Sequence, residues 1–307
     1  MTTTLYTHSR FLDHDTGHGH PERAERIEAV NNALTGESWA SLKRREASRA
    51  TNEQLVLGHY DAYVKNVFEL IPNSGYGKID EDTVVSPASG EAARRAAGAI
   101  IAAIDDVMTG QTDNAFCAVR PPGHHAERGK GMGFCLFNNV VIGANYARTM
   151  YGLRKIAIVD FDVHHGNGTQ TSFWNDPDTF FASTHQFPHY PGTGAETETG
   201  VGNILNVPLD ANADGKVFKE KVERKILPAI KEFEPEILLI SAGFDAHAKD
   251  PLASLKLEET DFEWITNELM EIAAECAEGR LISTLEGGYD IDALASSVQA
   301  HVGALIV

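Results

Sequence analysis

Along this chain, short apolar runs alternate with segments whose apolar residues recur at helical spacing. Four runs stand out: Asn114–Val119, Lys155–Val163, Ile237–Ala242 and Leu281–Leu285. Each is largely apolar on both alternating faces, the pattern of strands buried in a parallel sheet. Between them lie helical signals. Pro21 opens a helix expected to run through Leu34, with Gly36 just beyond it. Pro87–Met108 is rich in Ala and Ile and is followed by Gly110, and Asn138–Tyr151 stops at Gly152. Val217–Phe233 is charged and amphipathic, with a kink expected at Pro228. Thr260-Asp-Phe-Glu263 has the capping-box pattern and opens a helix that stops at Gly279. No repeat, low-complexity tract or long linker interrupts this alternation. The expectation is a single α/β domain over residues 1–307, with helices on both faces of a mostly parallel sheet.

The residues that follow the four strands carry the chemistry. After Ala118-Val119 comes Arg120-Pro-Pro-Gly-His124-His125, and after Ile158-Val159 comes Asp160-Phe-Asp162-Val-His164-His165. After Ile240-Ser-Ala-Gly-Phe comes Asp245-Ala-His247, and after Leu285 comes Glu286-Gly-Gly-Tyr289. Ligands of open α/β sheets bind at the carboxyl ends of the strands. Four strands here deliver His, Asp or Tyr to that one edge.

Asp162, His164 and Asp245 make an Asp-His-Asp set that leaves coordination positions open. Three protein ligands with an open position is the catalytic pattern for zinc, whereas structural sites are closed. The same N/O set suits Fe(II), so ligand type alone leaves the metal open. His124 and His125 offer a general base and a charged partner, with Asp160 a candidate to fix a ring tautomer. Tyr289, on a Gly-Gly hinge expected to be flexible, offers a phenol to a developing oxyanion. His165 receives no chemical role.

Charge and cysteine content narrow the picture. Lys plus Arg is 26 and Asp plus Glu is 44, a formal net charge of −18. Such a surface repels phosphate backbones, so direct nucleic-acid binding is not expected, while cationic ligands are favoured. Cys117, Cys135 and Cys276 are widely spaced and odd in number, which fits a reducing cytoplasm rather than a disulfide framework. No signal peptide and no membrane span are expected.

Taken together, the motifs resemble those of the histone deacetylase family, within the arginase–deacetylase superfamily. The matching stretches are Arg120-Pro-Pro-Gly-His-His-Ala126, Gly133-Phe-Cys-Leu-Phe-Asn-Asn139, Asp160-Phe-Asp-Val-His-His-Gly-Asn-Gly168, Tyr190-Pro-Gly-Thr-Gly194, Gly243-Phe-Asp-Ala-His247 and Glu286-Gly-Gly-Tyr289. They cover most of the chain, from His20-Pro-Glu-Arg23 onward. The resemblance implies an arginase/deacetylase fold of about eight strands and a zinc-dependent amidohydrolase that removes acetyl or other short acyl groups from lysine side chains. It implies metal ligands Asp162, His164 and Asp245, with His125 as base, His124 as its partner and Tyr289 polarising the scissile carbonyl. Gly133, Phe134 and Tyr190 would line an acyl-lysine channel, with Leu252 at a gatekeeper position. Asn167 would be a neutral buttress for His125, as in class II and bacterial members. Structural potassium is also implied, at Asp160, Asp162, His164, Ser183 and Thr184, and at an outer set of Phe173, Asp176, Thr179 and Asn203. The alternatives are an acetylpolyamine amidohydrolase, a catalytically silent binding module and a two-manganese ureohydrolase. Leu252, where polyamine-specific relatives of the human type carry Glu, favours acyl-lysine, although bacterial acetylpolyamine amidohydrolases select substrate differently. The stretch Pro72–Pro87 looks too short for the dimerising loop of bacterial polyamine enzymes, and no Asp in Asp80-Glu-Asp82 could be matched to the family's substrate-binding aspartate.

Overall fold

The computed structural model describes residues 1–306. Its strands are β1 (Thr3–Thr7), β2 (Lys43–Glu46), β3 (Gly77–Lys78), β4 (Val84–Val85), β5 (Asn114–Cys117), β6 (Ile156–Asp160), β7 (Thr179–Gln186), β8 (Ile204–Leu209), β9 (Ile237–Ala242) and β10 (Leu281–Leu285). Eight of them form one sheet in the order β2-β1-β5-β10-β9-β6-β7-β8, and every pairing in it is parallel. β3 and β4 form a separate antiparallel ribbon. The helices are α1 (Ala24–Ala33), α2 (Asn52–Leu55), α3 (Asp61–Leu70), α4 (Ser89–Met108), α5 (Asn139–Tyr151), α6 (Asn167–Phe173), α7 (Gly215–Lys221), α8 (Leu227–Phe233), α9 (Glu259–Cys276) and α10 (Ile291–Ile306).

The four strands expected from apolar runs are the four central ones. Every residue of β5, β6, β9 and β10 is buried. Helices cover both faces of the sheet, which removes the polar-out alternation an exposed sheet would show. Chain order and spatial order differ. β5 and β6 are separated by β10 and β9, which arrive much later in the sequence. The four motif-bearing strand ends therefore become four consecutive neighbours along one edge.

The sequence signals for β1, β2, β7 and β8 are too weak to read. β2 is Lys-Arg-Arg-Glu, exposed throughout, on the sheet edge. β8 carries Pro208, which an edge strand tolerates. β7 is buried along its whole length, yet five of its eight residues are polar.

Helix ends also differ from expectation. α1 starts at Ala24 rather than Pro21, because His20–Arg23 is held in a loop by its own hydrogen bonds. α4 starts at Ser89 rather than Pro87. α5 matches closely: the Asn138 side chain caps Val141 N–H at 3.1 Å, and Gly152 ends the helix with φ 71°. The capping box of α9 lies two residues earlier than expected, at Glu258 and Asp261 rather than Thr260 and Glu263. At Pro228 the chain does not simply kink. A π turn over Val222–Ile226 precedes it, in which Leu227 N–H reaches back to Val222 O.

Candidate active site

The carboxyl ends of β5, β10, β9 and β6 converge on a cleft of about 510 Å3, including its open mouth. Asp82, His125, Gly133, Phe134, His164, His189, Tyr190, Leu252 and Tyr289 line it. Beneath lie Asp162 and Asp245, which with His164 form a buried set whose ligand atoms all lie within 4.8 Å of one another. His164 Nδ1 is 3.1 Å from Asp162 Oδ1 and 3.0 Å from Asp245 Oδ2. Backbone donors aim the carboxylates. Asp162 accepts from His164 N at 2.9 Å and Gly287 N at 2.8 Å, and Asp245 accepts from Val163 N at 2.9 Å.

This set fits a divalent metal on two grounds. First, two buried carboxylates face one imidazole, while His124 Nε2 stands off at 3.8 Å from Asp162 Oδ1. Burial and then the Asp162 charge push Asp245 up to about 7. Against burial, Asp162 and Asp245 hold His164 up at about 10. The pocket is thus built for positive charge. Second, glycines make room for it. A Cβ at Gly287 would run into Asp245 and lie 2.6 Å from Asp162 Oδ2, and one at Gly243 would lie 2.5 Å from Asp162 Cβ. The Gly-Gly before Tyr289 is accordingly no flexible hinge. Gly287 N–H is bonded to Asp162, Gly288 O accepts from Arg26 Nε at 2.6 Å, and Tyr289 N donates to Asp250 at 2.7 Å.

The two histidines are differentiated by their partners. His124 Nδ1 lies 2.9 Å from Asp160 Oδ2, and Asp160 and then Asp162 hold its pKa well above the ordinary range against the effect of burial. His125 Nδ1 lies 2.9 Å from the neutral Asn167 Oδ1. Burial, then the charges of His124 and His164, hold His125 well below the ordinary range. The two neighbouring imidazoles are thus shifted in opposite directions, the kind of split on which acid and base roles can rest. Burial, helped by Asp245 and Asp162 and opposed by Arg26, keeps the Tyr289 phenol protonated, well above its usual pKa.

Further groups brace this edge. Glu286 accepts from Gly123 N at 2.6 Å and His124 N at 3.1 Å, tying the ends of β10 and β5 together. Arg26 donates to Glu286 O at 2.6 Å and sits 4.8 Å from the Tyr289 ring centre. Its guanidinium pairs with the fully buried Glu22, which also binds Arg120. Asp250 bonds Leu252 N at 2.9 Å as well as Tyr289 N.

Phe134, Tyr190, Gly133 and Leu252 all line the cleft. Gly133 has φ 56°, and a Cβ there would lie 2.9 Å from His125 Cγ and 3.0 Å from Tyr190 Oη. Sequence reasoning missed His189, which stacks on His164 with centroids 5.2 Å apart, and Asp82, which it left unassigned. His189 lies three residues past β7, a strand the sequence did not reveal, and Asp82 lies in the turn between β3 and β4. Asp82 could have been found only from the position of the β3–β4 ribbon. His165 stays outside the chemistry: its nitrogens meet Thr193 and Gln170, and burial pushes it down to about 3.

The expected cation sets fare differently. Of the inner set, Asp160 and Ser183 are register partners on adjacent strands, with Thr184 next to them and all three buried. The outer residues are joined by one side chain. Asn203 Nδ2 donates to the carbonyls of Phe173, Asp176 and Thr179 at 2.8, 2.9 and 2.8 Å. The Asn203 amide nitrogen thus stands where those three carbonyls converge.

Comparison with known proteins agrees with this picture. The model of the histone deacetylase domain matches residues 20–305. An uncharacterized protein of Synechocystis sp. is 43% identical over 97% of this chain and 97% of its own length. A histone deacetylase-like amidohydrolase of Pseudomonas aeruginosa is 37% identical over 88% of this chain and 73% of its own. The crystal structure of the HDA15 HD domain superposes with a TM-score of 0.94 at 33% identity, covering 99% of this chain and 88% of that one. No helix among the described residues is long and apolar enough to cross a membrane.

Proposed function

This chain belongs to the histone deacetylase family, and from that premise we propose that it hydrolyses the amide of short-chain acyl-lysine in proteins or peptides, using zinc. The observation that carries the reading is the buried Asp162–His164–Asp245 set, sharing one cleft with a neutral His125 and a protonated Tyr289. Fe(II) suits the same donors, and an inner potassium suits Asp160, Asp162, His164, Ser183 and Thr184.

When bound, the metal supplies Lewis acidity at the acyl carbonyl and acidifies water. This chain's residues do the rest. His125, neutral and oriented by Asn167, takes a proton from the attacking water at Nε2. Tyr289 donates a hydrogen bond to the oxygen on which negative charge develops. His124, held as an imidazolium by Asp160, stabilises that charge, and a protonated histidine of the pair gives the departing amine its proton. Phe134, Tyr190 and Leu252 offer apolar walls to an aliphatic side chain. The unpaired Cys117, Cys135 and Cys276 support a reducing, cytoplasmic setting.

A second substrate reading, an acylated polyamine, is favoured by the net charge of −18 and by Asp82 on the cleft wall. Leu252, apolar on the same wall, supports lysine instead. Rates on an acetyl-lysine peptide and on acetylputrescine, measured on the same zinc-reconstituted preparation, separate the two. A higher kcat/KM for the peptide is expected. Preference for acetylputrescine would overturn the substrate, and a zinc-loaded protein inert to both would overturn the activity.

A further inference from the structure

Asn167 is a neutral side chain in the position that orients the base, and an amide has two ends of nearly equal shape. With its oxygen toward His125, the ring must carry its proton on Nδ1, leaving the Nε2 lone pair free. With its nitrogen toward His125, the proton would move to Nε2 and the base would be lost. The histidine itself does not decide between these states. The other end of the amide does. Asn167 Nδ2 lies 3.0 Å from Glu127 Oε1, 3.4 Å from His125 O and 3.5 Å from Met132 Sδ. All three are acceptors, and only the carboxylate is both close and charged. A flipped amide would set its oxygen against that carboxylate.

Glu127 is firmly placed for this. Its N–H donates to Lys130 O at 2.8 Å, closing a tight turn. Its carbonyl lies 3.0 Å from His59 Nδ1, and His59 Nε2 accepts Asn138 N–H at 2.8 Å, so the His59 proton is on Nδ1 and points at Glu127. Asn138 in turn caps α5 and donates to Ala126 O at 3.2 Å. The carboxylate is therefore carried on the same scaffold as the His124–His125 segment.

We propose that Glu127 is a positioning residue: it locks the Asn167 amide with its oxygen toward His125 and so fixes the His125 tautomer. The charge that a carboxylate at position 167 would place beside the imidazole stands one hydrogen bond further out. The proposal rests on the reading of His125 as the base, and its test has a readout that does not depend on activity. In 15N-histidine NMR spectra of the neutral protein, His125 is expected as the Nδ1–H form in wild type and in E127Q, whose amide oxygen still accepts. It is expected as a tautomer mixture in E127A. E127A should lower kcat about 10- to 100-fold with KM for the peptide unchanged, and E127Q should rescue it. N167D removes the need for a lock but sets two carboxylates against each other. N167D should therefore be impaired alone and improved by adding either E127A or E127Q. An unchanged tautomer in E127A would overturn the proposal, as would equal losses from E127A in the wild-type and N167D backgrounds. Should E127A fold poorly, the comparison of N167D with E127Q/N167D decides alone. A tautomer shift in a protein inactive on every acyl amide would sustain the proposal and remove the activity instead.

Discussion

Asp250 joins two walls of the cleft with one carboxylate. Oδ1 accepts Leu252 N–H at 2.9 Å and Oδ2 accepts Tyr289 N–H at 2.7 Å, with Asp290 N a long 3.4 Å away. The residue is 7% exposed, so water does not replace these bonds when they are removed. Burial raises its pKa while the three N–H donors work to lower it. A hydrogen bond to a charged group contributes about 1.5–3 kcal/mol. Two good bonds make Asp250→Ala cost about 3–6 kcal/mol, with the long third bond counted as nothing. Asp250→Asn keeps one acceptor oxygen and turns the other position into a donor facing a donor, so about half that loss is expected. The catalytic consequence follows from Tyr289. Its backbone would lose the anchor nearest the ring, and a displacement of the order of 1 Å can cost about 100-fold in rate. Urea denaturation with linear extrapolation measures the first effect, and kcat on an acetyl-lysine peptide the second. The expected order in both is wild type, then Asn, then Ala. An Ala variant within about 1 kcal/mol of wild type and with unchanged turnover would refute the reasoning. It would mean that Arg26 and the Gly287–Asp162 bond hold the segment unaided.

Other expectations follow from the same geometry. Tyr289→Phe should lower kcat about 100-fold or more with unchanged zinc content, and undiminished turnover would remove Tyr289 from oxyanion stabilisation. Gly287→Ala places a Cβ against both Asp245 and Asp162, so metal analysis should find far less zinc bound with circular dichroism unchanged; full zinc occupancy would contradict the cradle. His301, buried between Thr266 and Ser283, is pushed down to about 3 by burial from 6.5. Its folded pKa is depressed, so the unfolded chain takes up the extra proton first and stability is lost as pH falls below 6.5. Between pH 7 and pH 5 this one residue accounts for a loss of about 2 kcal/mol. His301→Gln should lose that much less over the same interval, and an identical pH slope in the two proteins would show that His301 is not the source.

The sequence by itself determined a good deal. Lys155–Val163 reads as a buried strand ending in Asp160, Asp162 and His164 because apolar periodicity and polar strand ends are local features. The same holds for β5, β9 and β10, and for the candidate metal set, whose members lie within four residues of strand ends. It holds less well for two edge strands: β2, which is exposed throughout, and β8, whose apolar run is broken by Asn206 and Pro208. What the tertiary structure decided is adjacency. The order β5-β10-β9-β6 depends on which strand inserts beside which, and nothing in a run of apolar residues records that. From this order come the Glu286 clamp on Gly123 and His124, and the meeting of Asp245 with His164. Glu127, Asp250, Asp82 and His189 are polar residues in loops, where any surface position would look the same. Asn203 is a further case: that its side-chain amide donates to the carbonyls of Phe173, Asp176 and Thr179 is not legible in the sequence. Side-chain hydrogen bonds between distant segments are fixed only once packing has set both ends, so the chain alone names the chemistry and the fold decides which groups perform it.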